Sequence, residues 1–199
     1  MKIYGDIKSG NCYKIKLLLS LLNIPHDWIH VDILNGEAQT EQFKAKNPNA
    51  KIPLLEFQDG KTLSESNAIL NYLAANTTLL PSNTFDLAKV QQWQFFEQYS
   101  HEPYIAVARF IAVYLNHPPE RKQEFQAKQQ GGHKALQVME TQLDETRFLV
   151  GNMLTTADIS LYGYTHVAHE GGFDLSSYPN IQRWLKDIES QPGYVAMQN

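Results

Sequence analysis

The sequence contains very little cysteine: Cys12 is the only one in 199 residues. A single cysteine excludes a disulfide within the chain and is typical of proteins that fold in a reducing compartment. Long hydrophobic runs are also missing, because the longest, from Ile15 to Ile24, contains Lys16 and Ser20 and is too short to span a bilayer. A strand is predicted directly after Met1, so we expect no signal sequence. These features predict a soluble, cytoplasmic protein without a membrane segment.

The sequence also lacks a strong excess of charge of one sign. Its 17 basic and 21 acidic residues give a formal charge of −4, and no cluster of lysine and arginine stands out. A nucleic-acid partner would favour a basic surface, so none is expected. With 43% hydrophobic and 19% charged residues, the chain can bury a sizeable core. Its length fits one large domain or two modest ones.

The first part of the chain alternates strands and helices. Asp59-Gly60 between two apolar runs predicts a β-hairpin with antiparallel strands. A nucleotide-binding sheet would need a glycine-rich first loop, and the stretch YGDIKSGN lacks the GxGxxG spacing. The order therefore predicts a thioredoxin-like α/β domain. Its predicted elements are strands at 2–5, 27–33, 52–57 and 61–63, and helices at 13–23, 40–47 and 65–76.

Strand patterns end after this region. A turn-rich linker with Pro81 precedes a long helical stretch, for which a bend is expected at Pro103. The sequence thus predicts two domains, at 1–77 and 85–199, with a linker at 78–84. The second domain is predicted to be all-α, with helical stretches at 86–115, 119–146, 155–171 and 180–191.

Pro53 stands at the start of an apolar strand, although proline has no N–H for a sheet ladder. It could be a trans proline at a sheet edge, which is the commoner case. It could instead be a cis proline that turns the backbone of Ile52 outward, where an extended peptide ligand could pair with it like an added strand. Pro53 alone does not decide between the two.

Two helix N-termini carry further polar groups. Ser64, Glu65 and Ser66 lie where a strand gives way to a helix, and they could bind an amino-acid head group. The alternative is ordinary capping, with Ser64 or Ser66 as the N-cap and Glu65 favoured there by the helix dipole. Ser9 and Cys12 occupy the two positions of a C-x-x-C redox pair, with serine at the first. A hydroxyl there suits the stabilisation of another molecule's thiolate, or it caps the helix, and Cys12 is interpreted as a buried small hydrophobe.

The stretch LTTADI is interpreted as structural. Thr155 and Asp158 form a predicted capping box, with Leu154 and Ile159 placed as a hydrophobic staple. His166, His169 and Glu170 match neither H-E-x-x-H nor H-x-x-E-H, so no metal site is predicted.

Together these pieces resemble the cytosolic glutathione transferases, with a bacterial, serine-type-like N-terminal motif. The resemblance rests on NP..KIP.L around Pro53, L.ES.AI..YL from Leu63 to Leu73, and TTADISL from Thr155 to Leu161. It implies a thioredoxin-like N-terminal domain, an all-helical C-terminal domain, a homodimer, and a detoxifying transferase that uses glutathione as co-substrate and no metal. The implied partners are glutathione and a small hydrophobic electrophile.

The resemblance also implies roles for individual residues. The Ile52–Pro53 bond is expected to be cis, with the Ile52 backbone paired to the cysteinyl part of glutathione. Glu65 and Ser66 match the positions that hold the γ-glutamyl group. Lys51 and Gln39 lie where some classes reach the glycyl carboxylate.

The thiol-activating residue has three candidates. Ser9 matches the serine of serine-type classes, whereas Asn11 replaces a common proline and matches asparagine in a bacterial disulfide-reductase subgroup. Tyr4 is the third candidate, by analogy with tyrosine-type classes. The leading expectation is conjugation; the alternatives are glutathione-dependent disulfide or peroxide reduction and a non-catalytic glutathione-binding module. In the helical half, the predicted electrophile-facing residues are Tyr104, Arg109 and Phe110.

Overall fold

The computed structural model describes residues 1–197, which form two compact units. The first unit comprises Met1–Ala75 together with the segment that begins at Gln191, and the second comprises Asn76–Ser190. The sequence had placed that last segment in the helical domain. In the structure it packs on the first unit, where Ser20 Oγ donates to the Gly193 carbonyl at 2.7 Å. Residues 198 and 199 of the predicted second domain lie outside the described residues.

A four-stranded mixed sheet forms the centre of the first unit. The strands occur in the spatial order β2-β1-β3-β4, with β1 parallel to β2 and β3 antiparallel to both β1 and β4. The predicted hairpin at Asp59-Gly60 is confirmed, and Gly60 takes a φ of 83° that the turn requires. The strands are β1 (Lys2–Gly5), β2 (Asp27–His30), β3 (Leu54–Glu56) and β4 (Thr62–Ser64).

Three helices complete the first unit: α1 (Gly10–Leu21), α2 (Glu41–Lys44) and α3 (Ser66–Leu73). Helix α1 is buried on nearly all sides and packs against α3, which explains its dense run of leucines after Ile15. A separate small cluster packs around α2 and β3, with Tyr4 and Ile52 against it; its buried members are Val31, Ala38, Phe43 and Leu54. This arrangement confirms the thioredoxin-like prediction.

The second unit is built from helices, as predicted. Besides one isolated bridge between Phe148 and Gly151, its regular elements are all helical in the part of the chain that the structure describes. The helices are α4 (Thr84–Phe96), α5 (Glu102–Arg109), α6 (Lys122–Glu145), α7 (Thr156–Thr165) and α8 (Pro179–Glu189).

Two wide π-helical turns interrupt the long helical stretch that the sequence predicted. They cover Glu97–His101, directly before α5, and Phe110–Tyr114, directly after it. Pro103 lies in the first turn of α5, and its ring would clash with the carbonyl of residue 99 in a regular helix. The wider turn removes that clash. The sequence had predicted a bend at Pro103 itself. The interruption lies one turn earlier, at Glu97–His101.

Helix α7 begins at the predicted capping box, which is confirmed. Asp158 is completely buried and accepts hydrogen bonds from the backbone N–H groups of Leu149 and Thr155 at 2.8 and 2.9 Å. It also accepts one from the Trp184 indole at 2.9 Å. These bonds join α7, α8 and the 149 loop, so Asp158 serves the fold. Across residues 1–197, no helix has the length and apolarity needed to cross a bilayer.

Candidate functional site

The N-terminus of α1 follows directly on β1. Ser9 is its N-cap, and its hydroxyl oxygen accepts the Cys12 N–H at 3.4 Å, so the capping interpretation applies. The hydroxyl stays half-buried at the positive end of the helix. Burial raises the pKa of the Cys12 thiol to about 12. Cys12 is therefore protonated near neutral pH and unreactive, in line with its interpretation as a small hydrophobe.

A hydrogen-bonded cluster joins the N-termini of α1 and α3. The Lys14 ammonium donates to Asn11 Oδ1 at 2.7 Å and to Ser66 Oγ at 3.4 Å. Ser66 Oγ in turn donates to the same Asn11 oxygen at 3.1 Å. Lys14 and Ser66 are buried, and Asn11 is half-buried. Two predicted site residues, Asn11 and Ser66, are thus brought into contact by a lysine that the sequence analysis did not identify.

The signal for Lys14 was present in the sequence. Its charge interrupts an otherwise apolar helix, and it lies three residues after Asn11, a spacing at which helical side chains meet. Ser66 is 52 residues away along the chain, so only the fold could reveal that contact.

Glu65 occupies the junction between β4 and α3 in an unusual conformation. It is the N-cap of α3, where the sequence had favoured Ser64 or Ser66, and its φ and ψ are 68° and 113°. A non-glycine residue in this region costs about 1–3 kcal/mol, so the surrounding structure must hold it there. Its side chain makes no capping bond and is exposed; one carboxylate oxygen accepts from Asn49 Nδ2 at 3.5 Å. A carboxylate is therefore held beside a helix N-terminus.

The Ile52–Pro53 bond is cis, as predicted. Ile52 lies before the start of β3, and its backbone N–H and C=O make no hydrogen bond to the rest of residues 1–197. The buried Asn47 holds the loop that leads to it, by donating to the Lys51 carbonyl at 2.7 Å and accepting the Asn49 N–H at 3.2 Å. Asn47 was not among the residues predicted from the sequence. The structure thus presents unpaired main-chain groups on a fixed loop.

The other predicted residues of the first unit have separate environments. Lys51 is exposed, and so is Gln39, at the end of the short 3-10 helix Glu37–Gln39. Tyr4 donates its hydroxyl to Glu56 at 2.5 Å, and this bond raises the pKa of Tyr4. Because the Tyr4 hydroxyl already donates its hydrogen bond to a carboxylate, Tyr4 is the weakest of the three candidates for thiol activation.

The three predicted electrophile-facing residues all lie in the helical unit. The ammonium of Lys128 lies 5.8 Å from the centre of the Tyr104 ring, and Phe110 stacks on Tyr114 with ring centres 5.1 Å apart. Arg109 is only 2% exposed and donates to Glu170 at 2.6 Å. An arginine so buried and paired does not line an open pocket, so its role in this structure is structural.

His166 and Glu170 both have partners within the helical unit. His166 Nδ1 lies 2.7 Å from the Tyr162 carbonyl, and Glu170 pairs with Arg109. Within residues 1–197, no group of three or more His, Cys, Asp or Glu side chains is arranged to hold a metal ion.

Comparisons with known proteins account for both units. The family described as "Glutathione S-transferase, N-terminal domain" matches residues 9–76, and "Glutathione S-transferase, C-terminal domain" matches residues 102–192. A crystal structure of a glutathione S-transferase from Pseudomonas fluorescens Pf-5 is 59% identical in sequence. Its alignment covers 100% of this chain and 98% of that chain, with a TM-score of 0.98.

Two further structures extend the comparison. A possible glutathione S-transferase from Rhodopseudomonas palustris is 44% identical over 100% of this chain and 90% of its own, with a TM-score of 0.96. A maleylacetoacetate isomerase from Methylobacterium extorquens AM1, solved with malonate and glutathione bound, is 26% identical over 97% of this chain and 94% of its own, with a TM-score of 0.81. This chain therefore belongs to the glutathione S-transferase family.

Proposed function

We propose that this chain binds glutathione on its first unit and activates the thiol for attack on a small electrophilic substrate. The observation that carries the proposal is the pair of unpaired main-chain groups at Ile52, since an extended peptide ligand needs such groups to bind like an added strand. The bound glutathione in the isomerase from Methylobacterium extorquens, a relative of the same fold, supports the choice of ligand.

Each part of glutathione has a matching group in this proposal. The Ile52 backbone pairs with the cysteinyl residue. The carboxylate of Glu65 binds the γ-glutamyl ammonium, and Ser66, at the N-terminus of α3, binds the γ-glutamyl carboxylate. Lys51 and Gln39 are the proposed partners of the glycyl carboxylate.

Ser9 is the proposed activator of the thiol. Its hydroxyl lies at the N-terminus of α1, where both a hydrogen-bond donor and the helix dipole favour a thiolate over a thiol. The sulfur then attacks an electrophilic carbon. A carbon–sulfur bond forms, the leaving group departs with the former bonding pair, and the thiol proton passes to water. The electrophile-facing roles of Tyr104 and Phe110 stay predictions.

A second candidate function is the reduction of a disulfide or peroxide by glutathione at the same site. The observation that favours it is the fixed amide of Asn11, whose oxygen accepts from both Lys14 and Ser66. An amide held in this way can offer its N–H groups to a sulfur atom. A non-catalytic glutathione-binding module is the third alternative.

The proposed assembly is a cytoplasmic homodimer. On α4 and the turn that follows it, Phe95 and Tyr99 are 70% and 87% exposed, and they lie four residues apart, on one side of the helix. Two large aromatic side chains exposed beside each other offer an apolar area that another protein surface could cover. A second copy of the chain could cover them through a two-fold contact of this surface with itself.

The test is retention of the purified protein on immobilised glutathione, followed by paired assays with an aryl halide and a small mixed disulfide. We expect specific elution by free glutathione and turnover of the aryl halide. Turnover of the disulfide alone would favour the second candidate. Retention without either activity would leave the binding module, and no retention would contradict the proposal.

A further inference from the structure

Lys14 has a position that its side chain rarely takes. It is completely buried within α1, and a buried ammonium is unfavourable unless its donors are hydrogen-bonded. Its hydrogen-bond partners include Asn11 and Ser66, both in the proposed glutathione site. A lysine in this environment is costly for the fold, so a role in the site is a better explanation than packing.

The chemistry of the ammonium fixes the orientation of the Asn11 amide. A lysine ammonium can only donate hydrogen bonds, so the Asn11 atom 2.7 Å from it must be the carbonyl oxygen. Ser66 Oγ, at 3.1 Å, donates to the same oxygen. The amide nitrogen consequently lies on the side away from Lys14 and Ser66, and the amide cannot flip without bringing N–H groups against the ammonium.

We propose that Lys14 is a positioning residue of the glutathione site: its buried ammonium holds the Asn11 amide so that the N–H groups face the bound sulfur. The positive charge of Lys14 also favours the thiolate form of that sulfur. This inference rests on the proposed function, and it explains why a charge is retained in the interior of α1. It does not depend on whether Ser9 or Asn11 is the main donor.

Charged and titratable groups lie on the elements next to Lys14. Asp6 follows β1, Cys12 lies on α1 itself, and Glu65 precedes α3, the helix packed against α1. Burial raises the pKa of Cys12 to about 12, and the charges of Asp6 and Lys14 act on that pKa in opposite directions. A thiol that titrates near neutral pH in this protein would therefore be that of bound glutathione.

The experiment is an ultraviolet titration of the thiolate of bound glutathione in the full-length protein. It compares the wild type with Lys14→Met, which removes the charge at similar volume, and with Lys14→Arg, which keeps it. Lys16→Met is the matched control, because Lys16 is two residues further along α1 and projects from another side of the helix. Circular dichroism shows whether each variant folds. Conjugation rates measured over a range of glutathione concentrations at each pH give kcat and KM separately.

We expect Lys14→Met to raise the pKa of the bound thiol by about one unit. At pH values below the thiol pKa of the wild-type complex, kcat should fall about tenfold, with a smaller change in KM. In Lys14→Arg the pKa of the bound thiol should stay close to the wild-type value, and in Lys16→Met it should match the wild type. An unchanged pKa in folded Lys14→Met would overturn the inference. The wild type tests the proposed function separately. If the wild type does not bind glutathione, the proposed function fails before any variant is compared.

A second variant decides the matter if Lys14→Met does not fold. Asn11→Asp keeps acceptors for Lys14 and Ser66 but replaces the amide nitrogen by a charged oxygen. If the amide N–H groups face the sulfur, this change should raise the thiol pKa by about one unit or more, since a like charge then lies near the thiolate. A wild-type pKa in Asn11→Asp would show that the amide does not face the sulfur and would overturn the inference.

Discussion

Glu65 combines a strained backbone with an exposed carboxylate, and substitution can separate the two. Alanine and glycine both remove the carboxylate, but only glycine adopts positive φ without strain. Strain that is retained in the folded protein is a mark of functional sites. If the conformation of Glu65 serves glutathione binding, then binding and stability should respond differently to these two changes.

We predict that Glu65→Ala and Glu65→Gly each weaken glutathione binding about tenfold or more. The loss of a hydrogen bond to a charged group is worth roughly 1.5–3 kcal/mol, and 1.4 kcal/mol is a factor of ten. Glu65→Gly should be about 1 kcal/mol more stable than Glu65→Ala. Calorimetric titration and urea unfolding measure these effects, with Glu124→Ala, in the helical unit, as control. Unchanged affinity in both variants would show that the head group binds elsewhere.

At the residue scale, the sequence predicted the parts of the site that depend on local pattern. Pro53 in an apolar strand and Glu65-Ser66 at a helix start were visible without the fold. Lys14 and Asn47 were not identified. Lys14 had a local signal in its spacing from Asn11, but its contact with Ser66 depends on the fold, and so does the bond from Asn47 to the Lys51 carbonyl. The N-cap of α3 was also missed, since capping preferences favour serine over a strained glutamate.

Helix α7 depends on Asp158 for its N-terminus, which gives a prediction for an element. Asp158→Ala leaves three buried N–H donors without their acceptor, those of Leu149, Thr155 and Trp184. Each unsatisfied donor costs about 1–3 kcal/mol, so the free energy of unfolding should fall by at least about 3 kcal/mol. Urea unfolding measures it. Asp174→Ala, which affects only a surface turn, should cost less than about 1 kcal/mol, and equal losses in the two variants would contradict this role.

The other end of α7 predicts a pH dependence. Burial lowers the pKa of His166 from 6.5 to about 4. Below pH 6.5 the unfolded chain therefore binds a proton that the folded chain does not bind until near pH 4, so stability falls as the pH falls. By about pH 5 the loss should reach about 2 kcal/mol relative to neutral pH. Urea unfolding at neutral pH and at about pH 5 measures this loss, and His166→Gln should not show it. An identical pH dependence of stability in the wild type and in His166→Gln would contradict the assignment.

The elements themselves were largely predictable, because each has a local signal. Asp59-Gly60 indicated the hairpin, and Thr155 with Asp158 indicated the start of α7. The two π-helical turns around α5 were not predicted, since they are local adjustments of a helix that the periodicity leaves regular. Such adjustments depend on the side chains packed around the helix and on the clash at Pro103.

At the scale of the whole molecule, the exposed aromatic pair Phe95 and Tyr99 predicts self-association. Replacing both by aspartate removes apolar area and places like charges on the proposed two-fold contact. Light scattering after size exclusion should show a dimer for the wild type and a monomer for the double variant. Met153→Asp, at another exposed apolar position of the helical unit, is the control and should stay dimeric. A monomeric wild type would contradict the proposed assembly.

The central claim is that this chain binds glutathione and lowers the pKa of its thiol, and one ultraviolet titration of the thiolate at saturating glutathione tests it. A free thiol has a pKa of about 8.5. We expect a clearly lower pKa in the wild type and a return toward the free value in Ser9→Ala, with Asn11→Ala measured beside it. If the wild type shows the free value, the claim is contradicted. If Ser9→Ala leaves the pKa unmoved and Asn11→Ala removes the shift, activation belongs to Asn11 and disulfide reduction becomes the leading function.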